Sequence, residues 1–321
     1  MVVEKTFINE NTYMGALTMK KIFFISAFII SFSFNSYPQE NIRKIATWNM
    51  KWLGTNSGNQ LDAFENIEHY ADYILLTGAT LFALQEIGPT HSVAGEPKCS
   101  YLDKIVDELN QSIPGELEKW TYVLDNFNKQ QRLAFLFKKD LWELSNFRII
   151  SPGSSFNYIR KPFLVTVKAK GDNAELEFNF INIHLKAFDD AGSRTTRKNN
   201  FTQLSAWLQN NTLEEDVLIG GDTNIYFGET DAYQSMSDIN YKYLYDAERT
   251  SVYSDLLGER FDRFFSSAGI NNEIESAKNS VGSGNYIDVI KDNDPEEIIW
   301  FSQNISDHFA VVLNIDVSRE Q

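Results

Sequence analysis

Short apolar runs in this chain end, again and again, in polar side chains that a strand has no need of. The cases are Ala46-Thr47-Trp48-Asn49, Phe82-Ala83-Leu84-Gln85-Glu86, Asn182-Ile183-His184 and Leu218-Ile219-Gly220-Gly221-Asp222-Thr223-Asn224. The last, Ser306-Asp307-His308, stands just before the run 309–313. Runs this short, bounded by turn-forming residues, read as strands. Strands that end in polar groups can bring those groups to one cleft. A lone Asp after a strand is usually a turn former or a helix cap, and a lone His is usually structural. Five such endings in one chain are a different matter. They nominate Asn49, Glu86, His184, Asp222, Asn224, Asp307 and His308.

The same patterning predicts strands at 45–49, 81–86, 120–124, 133–137, 163–168, 176–184, 217–222, 261–266 and 309–315. Helices are expected at 61–75, 101–109 and 198–209. In the second, Leu102, Ile105, Val106 and Leu109 share a face; in the third, Phe201, Leu204 and Leu208 do. Many adjacent strands and few long helices imply packed sheets with helices outside. The polar stretches 226–258 and 268–297 read as long loops, which are often functional. No linker or internal repeat divides residues 40–321. With 43% apolar and 14% aromatic residues, 321 residues can bury a large core, which excludes disordered and fibrous classes. One cysteine, Cys99, excludes a disulfide framework and a four-cysteine zinc site.

Lys20 and Lys21 precede the apolar run 22–34, which gives way to Asn35-Ser36-Tyr37-Pro38-Gln39. That is the pattern of an export signal, too short for a membrane span. The expected organisation is an N-terminal extension and signal peptide over 1–39 and one domain over 40–321. The expected location is periplasmic or extracellular, with Met19 as the natural start. The formal net charge of −15 excludes a generally basic nucleic-acid coat. It leaves room for an enzyme that grips phosphate locally through metal.

The nominated residue types make chemical sense together. Glu86, Asp307 and the amide of Asn49 are hard oxygen donors suited to Mg²⁺ or Mn²⁺. Two histidines can donate charged hydrogen bonds to phosphate or move protons near neutral pH. Asp222 and Asn224 can orient a water and hold a phosphoryl oxygen. The set fits water attack on a phosphoester, where catalysis is positioning and charge neutralisation.

At this point the chain resembles the endonuclease/exonuclease/phosphatase superfamily, the deoxyribonuclease I-like enzymes, over nearly all of residues 40–321. The motifs run in the family's order: Trp48-Asn49, Gln85-Glu86, Ile183-His184-Leu185, Gly221-Asp222-Thr223-Asn224, Asp262-Arg263 and Ser306-Asp307-His308. The resemblance implies a four-layered α/β sandwich, with two packed mixed, mainly antiparallel sheets flanked by helices. It implies metal binding at Glu86, with Asn49 and Asp307 close by. Asp222 would align or deprotonate the attacking water, and Asn224 would support it. His308 would be the general acid/base, with Asp262 fixing its tautomer, and His184 the second histidine on the phosphate.

Further residues bear on substrate. Arg160-Lys161-Pro162 resembles a phosphate-contacting strand start, against a plain solvated strand end. Arg194, Arg197 and Lys198, read as the start of a helix, suit either a phosphate or simple exposure, with Arg197 as the phosphate candidate. Where the family carries a glutamate beside an arginine to orient the first histidine, this chain has Gln131-Arg132. Gln131 can orient His184 by a hydrogen bond but not by charge.

The leading expectation is an exported, metal-dependent endonuclease acting on DNA, with RNA open as substrate and no protein partner inferred. The alternative is a phosphoesterase on lipid headgroups or inositol phosphates, where Tyr241, Tyr243, Tyr245 and Tyr253 would touch a membrane or else pack on the domain. A catalytically silent binding module is the third reading, and the intact residue set argues against it.

Overall fold

The structure, a computed structural model, describes residues 41–54, 66–88, 91–93, 96–112, 120–127, 131–151, 160–211, 213, 216–244, 250–253, 256–277 and 295–318. The expected export signal lies outside them. In chain order the elements are β1 (Ile42–Leu53), α1 (Ile67–Thr77), β2 (Leu81–Ile87), β3 (His91–Val93), β4 (Glu96–Lys98), α2 (Ser100–Gln111), β5 (Trp120–Leu124), β6 (Arg132–Lys138) and β7 (Trp142–Ile149). They continue with β8 (Phe163–Ala169), β9 (Glu177–His184), α3 (Ala191–Asn210), β10 (Val217–Asp222), α4 (Gln234–Ser237), β11 (Lys242–Leu244), β12 (Val252–Tyr253) and β13 (Leu256–Leu257). The last are β14 (Asp262–Ser266), α5 (Asn271–Ser276), α6 (Pro295–Asn304) and β15 (Val311–Asp316).

One sheet has the order β15-β1-β2-β6-β5, the other β11-β14-β10-β9-β8-β7. Each contains a single parallel pair, β1 with β2 and β9 with β10; the other neighbours are antiparallel. A parallel pair needs a crossover. Helix α1 lies within the first crossover and α3 within the second.

Strand alternation sorts the apolar residues into three layers. Ile45, Leu81, Ala83 and Phe135 face Val165, Phe178, Phe180, Leu218 and Phe264 between the sheets. Ala46, Trp48, Phe82 and Leu84 point the other way, onto Tyr70, Tyr73 and Ile74 of α1, Leu102 and Ile105 of α2, and Phe301 of α6. Ile181, Ile183, Ile219 and Phe265 pack outward on Phe201 and Leu204 of α3 and Met236 of α4. The result is the helix–sheet–sheet–helix sandwich expected, and Glu40–Gln321 form one compact unit.

The inter-sheet layer turns polar at one end. By the same alternation Ile45 is followed on its face by Thr47 and Asn49, Phe180 by Asn182 and His184, and Leu218 by Gly220 and Asp222. Buried amides tie the sheets there. Gln85 Nε2 donates to Asn182 Oδ1 at 2.8 Å and to Thr47 Oγ1 at 3.1 Å. Asn182 Nδ2 donates in turn to the carbonyls of Leu84 and Ala134.

Several expectations need correction. Strand β7 is absent from the predicted set because its sequence WELSNFRI has no apolar run; it is a largely exposed edge strand. Helix α3 begins at Ala191, well before 198, because Asp190 caps it, accepting from Ser193 N at 2.9 Å. Arg197 and Lys198 therefore lie inside the helix. The stretches read as loops contain α4, β11, β12, β13, α5 and the start of α6, elements mostly too short for an apolar period to show. Residues 245–249, 254–255 and 278–294 of those stretches lie outside the described residues, as do 61–65 of the first predicted helix. Among the described residues no helix is long and apolar enough to cross a membrane.

Candidate active site

The two parallel pairs deliver their carboxyl-terminal ends to the polar end of the inter-sheet layer. In the first sheet, Asn49 is in register with Gln85. In the second, Asp222 is in register with His184 on one side and with Asp262 on the other. His184, Asp222 and Asp262 therefore stand side by side on three neighbouring strands. Simple alternation would send Glu86 to the outer face, since Gln85 points inward. Instead Glu86 adopts φ +59°, and β2 slips register against both neighbours there. Such an irregularity re-aims a side chain. The Glu86 carboxylate swings into the cluster, where its Oε2 accepts from the Trp52 backbone N–H at 3.0 Å.

Glu86, His184 and Asp222 each offer a ligand atom, all within 4.8 Å of one another. His184 Nε2 lies 3.5 Å from Glu86 Oε1 and 3.4 Å from Asp222 Oδ2. Asn49 Nδ2 donates to both carboxylates, at 3.1 and 2.9 Å. Its Oδ1 is taken by the Lys51 backbone N–H at 2.9 Å, which fixes the amide's orientation. Asn49 thus presents donors to the cluster, not the oxygen expected of a metal ligand. Asp307 stands half-buried beside the triad and outside it, near enough to push the Glu86 carboxyl upward.

His308 approaches from the segment before β15. Its Nδ1 pairs with Asp262 Oδ2 at 2.8 Å, and its Nε2 faces Asp222 Oδ2 at 4.0 Å. Sequence reasoning passed over the groups that hold it. Ser306 Oγ donates to the Asn49 carbonyl at 2.6 Å and accepts from His308 N at 3.0 Å. Trp48 Nε1 donates to the His308 carbonyl at 2.9 Å. Thr250 Oγ1 accepts from Asp262 N at 3.1 Å, and the Thr250 carbonyl accepts from Phe309 N at 2.7 Å. Thr250 sits in a polar stretch with no periodic signal. Only Ser306 and Trp48, inside quoted motifs, carried any hint.

Asn224 follows β10 with φ +49°. Its N–H donates to Asp222 Oδ1 at 2.9 Å, and its amide reaches the Leu185 carbonyl at 3.4 Å. Arg263 braces that turn through Thr223 Oγ1 and the Ile225 carbonyl.

The phosphate candidates separate. Arg160 is buried against the cluster, donating through Nε to the His184 carbonyl at 3.3 Å and through its other nitrogens to the Leu185 carbonyl and Gln131 Oε1. Gln131 therefore holds Arg160 and not His184, whose Nδ1 is buried with no partner among the described residues. Arg197 is not a phosphate ligand. It is fully buried, donates through Nε and Nη2 to both oxygens of Glu229, at 3.0 and 2.7 Å, and through Nη1 to the carbonyls of Lys186 and Phe188. A helix-interior arginine with four of its five donors engaged cannot also reach a substrate. Tyr241 and Tyr243 pack on the outer apolar layer, so they do not form a membrane-facing hairpin. Tyr245 and the side chain of Tyr253 lie outside the described residues. Of the remaining histidines, His69 packs edge-on against Trp300, and His91 opens β3. Cys99 is buried, which raises its thiol pKa and suits no nucleophile.

Burial and charge set the protonation states. Burial, with Arg160 and His308 adding to it, holds His184 well below the usual imidazole range, so it is neutral. Burial acts the same way on His308, but Asp262, Asp222 and Asp307 outweigh it and hold that ring well above the usual range. Burial pushes Glu86 up to about 7, against the Asn49 hydrogen bond, and raises Asp222 as well.

The group fits a divalent cation. Two carboxylates and an imidazole converge within 4.8 Å of one another, and Asp262 Oδ1 is buried with no partner among the described residues. Buried, ill-compensated carboxylates of this kind call for positive charge. A mixed oxygen and nitrogen set suits Mn²⁺ at least as well as Mg²⁺.

No protein-family model matches the sequence, and no curated protein matches it. Solved structures do. An endonuclease/exonuclease/phosphatase from Bacteroides vulgatus aligns over 86% of this chain and 99% of its own, at 12% identity and TM-score 0.55. A mannosyl-6-phosphatase from Bacteroides thetaiotaomicron aligns over 84% and 98%, at 14% identity and TM-score 0.52. A humanized D. rerio TDP2 aligns over 85% and 98%, at 14% identity and TM-score 0.53. At such identities the likeness concerns the fold. That fold is the endonuclease/exonuclease/phosphatase sandwich, spanning nearly the whole of each matched structure.

Proposed function

We propose that the protein is a divalent-metal-dependent phosphodiesterase that hydrolyses nucleic acid, with DNA cut endonucleolytically as its main reaction. The carrying observation is one buried carboxylate, Asp222, set between two histidines: His184 Nε2 lies 3.4 Å from its Oδ2, and His308 Nε2 lies 4.0 Å away with Asp262 on its other ring nitrogen. Burial lowers His184, while the surrounding carboxylates raise His308. Glu86 and His184 would hold the cation beside Asp222, and Mg²⁺ or Mn²⁺ bound there would neutralise phosphate charge.

The chain's own residues supply the rest. Asp222, raised by burial, accepts the proton of the attacking water, while Asn49 and Asn224 hold the carboxylate in place. The water oxygen bonds to phosphorus as the bond to the ribose oxygen breaks. His308 donates its Nε2 proton to that departing oxygen, and Asp262 keeps the Nδ1 proton in place throughout. Arg160 steadies the His184 backbone from beneath.

Supercoiled plasmid with Mg²⁺, with Mn²⁺ and with EDTA, beside His308→Ala, tests this. Nicking that needs metal and disappears in the variant is expected. No nicking by folded protein would reject duplex DNA and shift the reading to small or lipid phosphoesters. The net charge of −15 favours that second reading over any extended basic track, and the mannosyl-6-phosphatase among the matched structures points to phosphomonoesters as its first assay. We also propose export to the periplasm or medium, on the Lys20-Lys21 and 22–34 pattern. Amino-terminal sequencing of the protein from cell fractions tests it: a mature end near residue 40 is expected, and a chain that still carries the 22–34 run would refute it.

A further inference from the structure

Six large apolar side chains are exposed among the described residues, and three lie in loops beside residues of the candidate site. Phe188 follows His184 by four residues and is 64% exposed; Phe227 follows Asp222 by five and is 94% exposed. Phe127, 47% exposed, is in the turn after β5. Its ring lies 4.0 Å beneath Lys161 Nζ, next to the Arg160 that grips the His184 carbonyl. Phe188 is similarly paired, with Lys186 Nζ 4.5 Å from its centroid. Phenylalanines this exposed, two of them with a lysine over one face, are costly to display in water, and their grouping in loops beside one site marks a candidate binding surface.

Two of these rings are held out by a built device. The buried Arg197–Glu229 pair joins the loop after β9, through the Lys186 and Phe188 carbonyls, to the loop after β10, where Glu229 also accepts from Tyr226 N. Phe188 is kept at φ +79°, a conformation a non-glycine residue rarely adopts. Glu259 accepts from Phe227 N at 3.0 Å and fixes the second loop from its far side. Backbone strain and a buried ion pair are thus spent on presenting exposed rings at the mouth of a phosphoester site.

We infer that Phe127, Phe188 and Phe227, with Lys161 and Lys186, form a stacking rim for unpaired nucleobases, so that single-stranded segments are the preferred substrate. This rests on the phosphodiesterase reading. Aromatic faces take bases of any sequence, and adjacent lysines take the backbone phosphates. A duplex hides its base faces and offers only phosphate, for which this acidic protein has few cations. Three separate rings, two of them each beneath a single lysine, match a strand of successive bases better than a continuous apolar membrane face.

The test is fluorescence anisotropy of labelled dT₁₂, an abasic sugar-phosphate dodecamer and a 12-bp duplex, in EDTA at low salt. Wild-type protein is expected to prefer dT₁₂ over both by about tenfold or more, and the Phe127→Ala/Phe188→Ala/Phe227→Ala variant to lose that preference. Leu76→Ala, which removes an exposed apolar residue of α1, is expected to keep it. Circular dichroism verifies that each variant is folded. Equal binding of dT₁₂ and the abasic chain, or an unchanged triple variant, overturns the inference. So does sedimentation with phosphatidylserine/phosphatidylcholine vesicles that the triple substitution abolishes, which would assign the rim to a membrane. Metal-dependent hydrolysis of bis(p-nitrophenyl) phosphate by the wild type reads the phosphodiesterase assignment separately, so a failure of either is identifiable.

Discussion

Glu86 shows what single residues do here. Its ordinary pKa of 4.5 is raised to about 7 by burial, so the folded protein binds a proton that the unfolded chain releases. Stability from this group is present at low pH and is lost as pH rises from about 4.5 to 7. The raised His308 adds a loss of the same sign as pH rises from 6.5 through its higher folded value. The depressed His184 contributes with the opposite sign below pH 6.5, so in EDTA the melting temperature should fall from pH 6.5 to pH 8, and Glu86→Gln should flatten the lower part of that fall. Mn²⁺ should restore stability above pH 7, by about 2.7 kcal/mol at a hundredfold excess over Kd. Asp262→Asn leaves the His308 contact in place but removes the charge behind it. Turnover at neutral pH should drop about 10²-fold or more, and the alkaline limb of the rate profile should move to lower pH. A merely structural role for Asp262 would leave that limb in place. The residues above were legible as types at strand ends. The orientation of Asn49 and the partner of Gln131 were not, because a side chain's hydrogen bonds depend on atoms that are distant in sequence.

At the scale of elements, the two parallel pairs are the core of the arrangement, and Gly221 is the tightest point in one of them. A Cβ there would lie 1.9 Å from the Ile183 carbonyl oxygen, with φ at +156°. Gly221→Ala should push β10 off β9, part His184 from Asp222, and cost about 2–4 kcal/mol in chemical denaturation, with activity falling in parallel. Arg197→Ala should cost about 3–5 kcal/mol, since it strands the buried Glu229 carboxylate and frees two loops. An Arg197→Ala variant as stable as wild type would refute the clamp. The main strands were readable because their apolar runs are complete. β7 was not, since an edge strand buries little, and α3 was misplaced because its first two turns are polar and its start depends on the Asp190 cap.

For the whole molecule, the decisive quantity is the contrast between a net charge of −15 and a site built for phosphate. Only a few cations, Lys161 and Lys186 among them, flank that site, so few counterions are displaced on binding. The slope of log affinity for duplex DNA against log salt should be no steeper than about −3. A slope near −8 would mean an extended basic track that the described surface does not offer. The sequence by itself determined the layered class of fold, the one domain's worth of strands, and the residue types of a phosphoester site. These follow from short-range periodicity and chemical type, which a single chain displays along its length. Tertiary structure alone decided which groups meet. It swung Glu86 into the cluster through a backbone irregularity, gave Arg197 to Glu229 instead of phosphate, turned the Asn49 amide, and set the two histidines in opposite protonation states. Each of these depends on distances across the two sheets and on burial from water, and neither quantity is written in the order of residues.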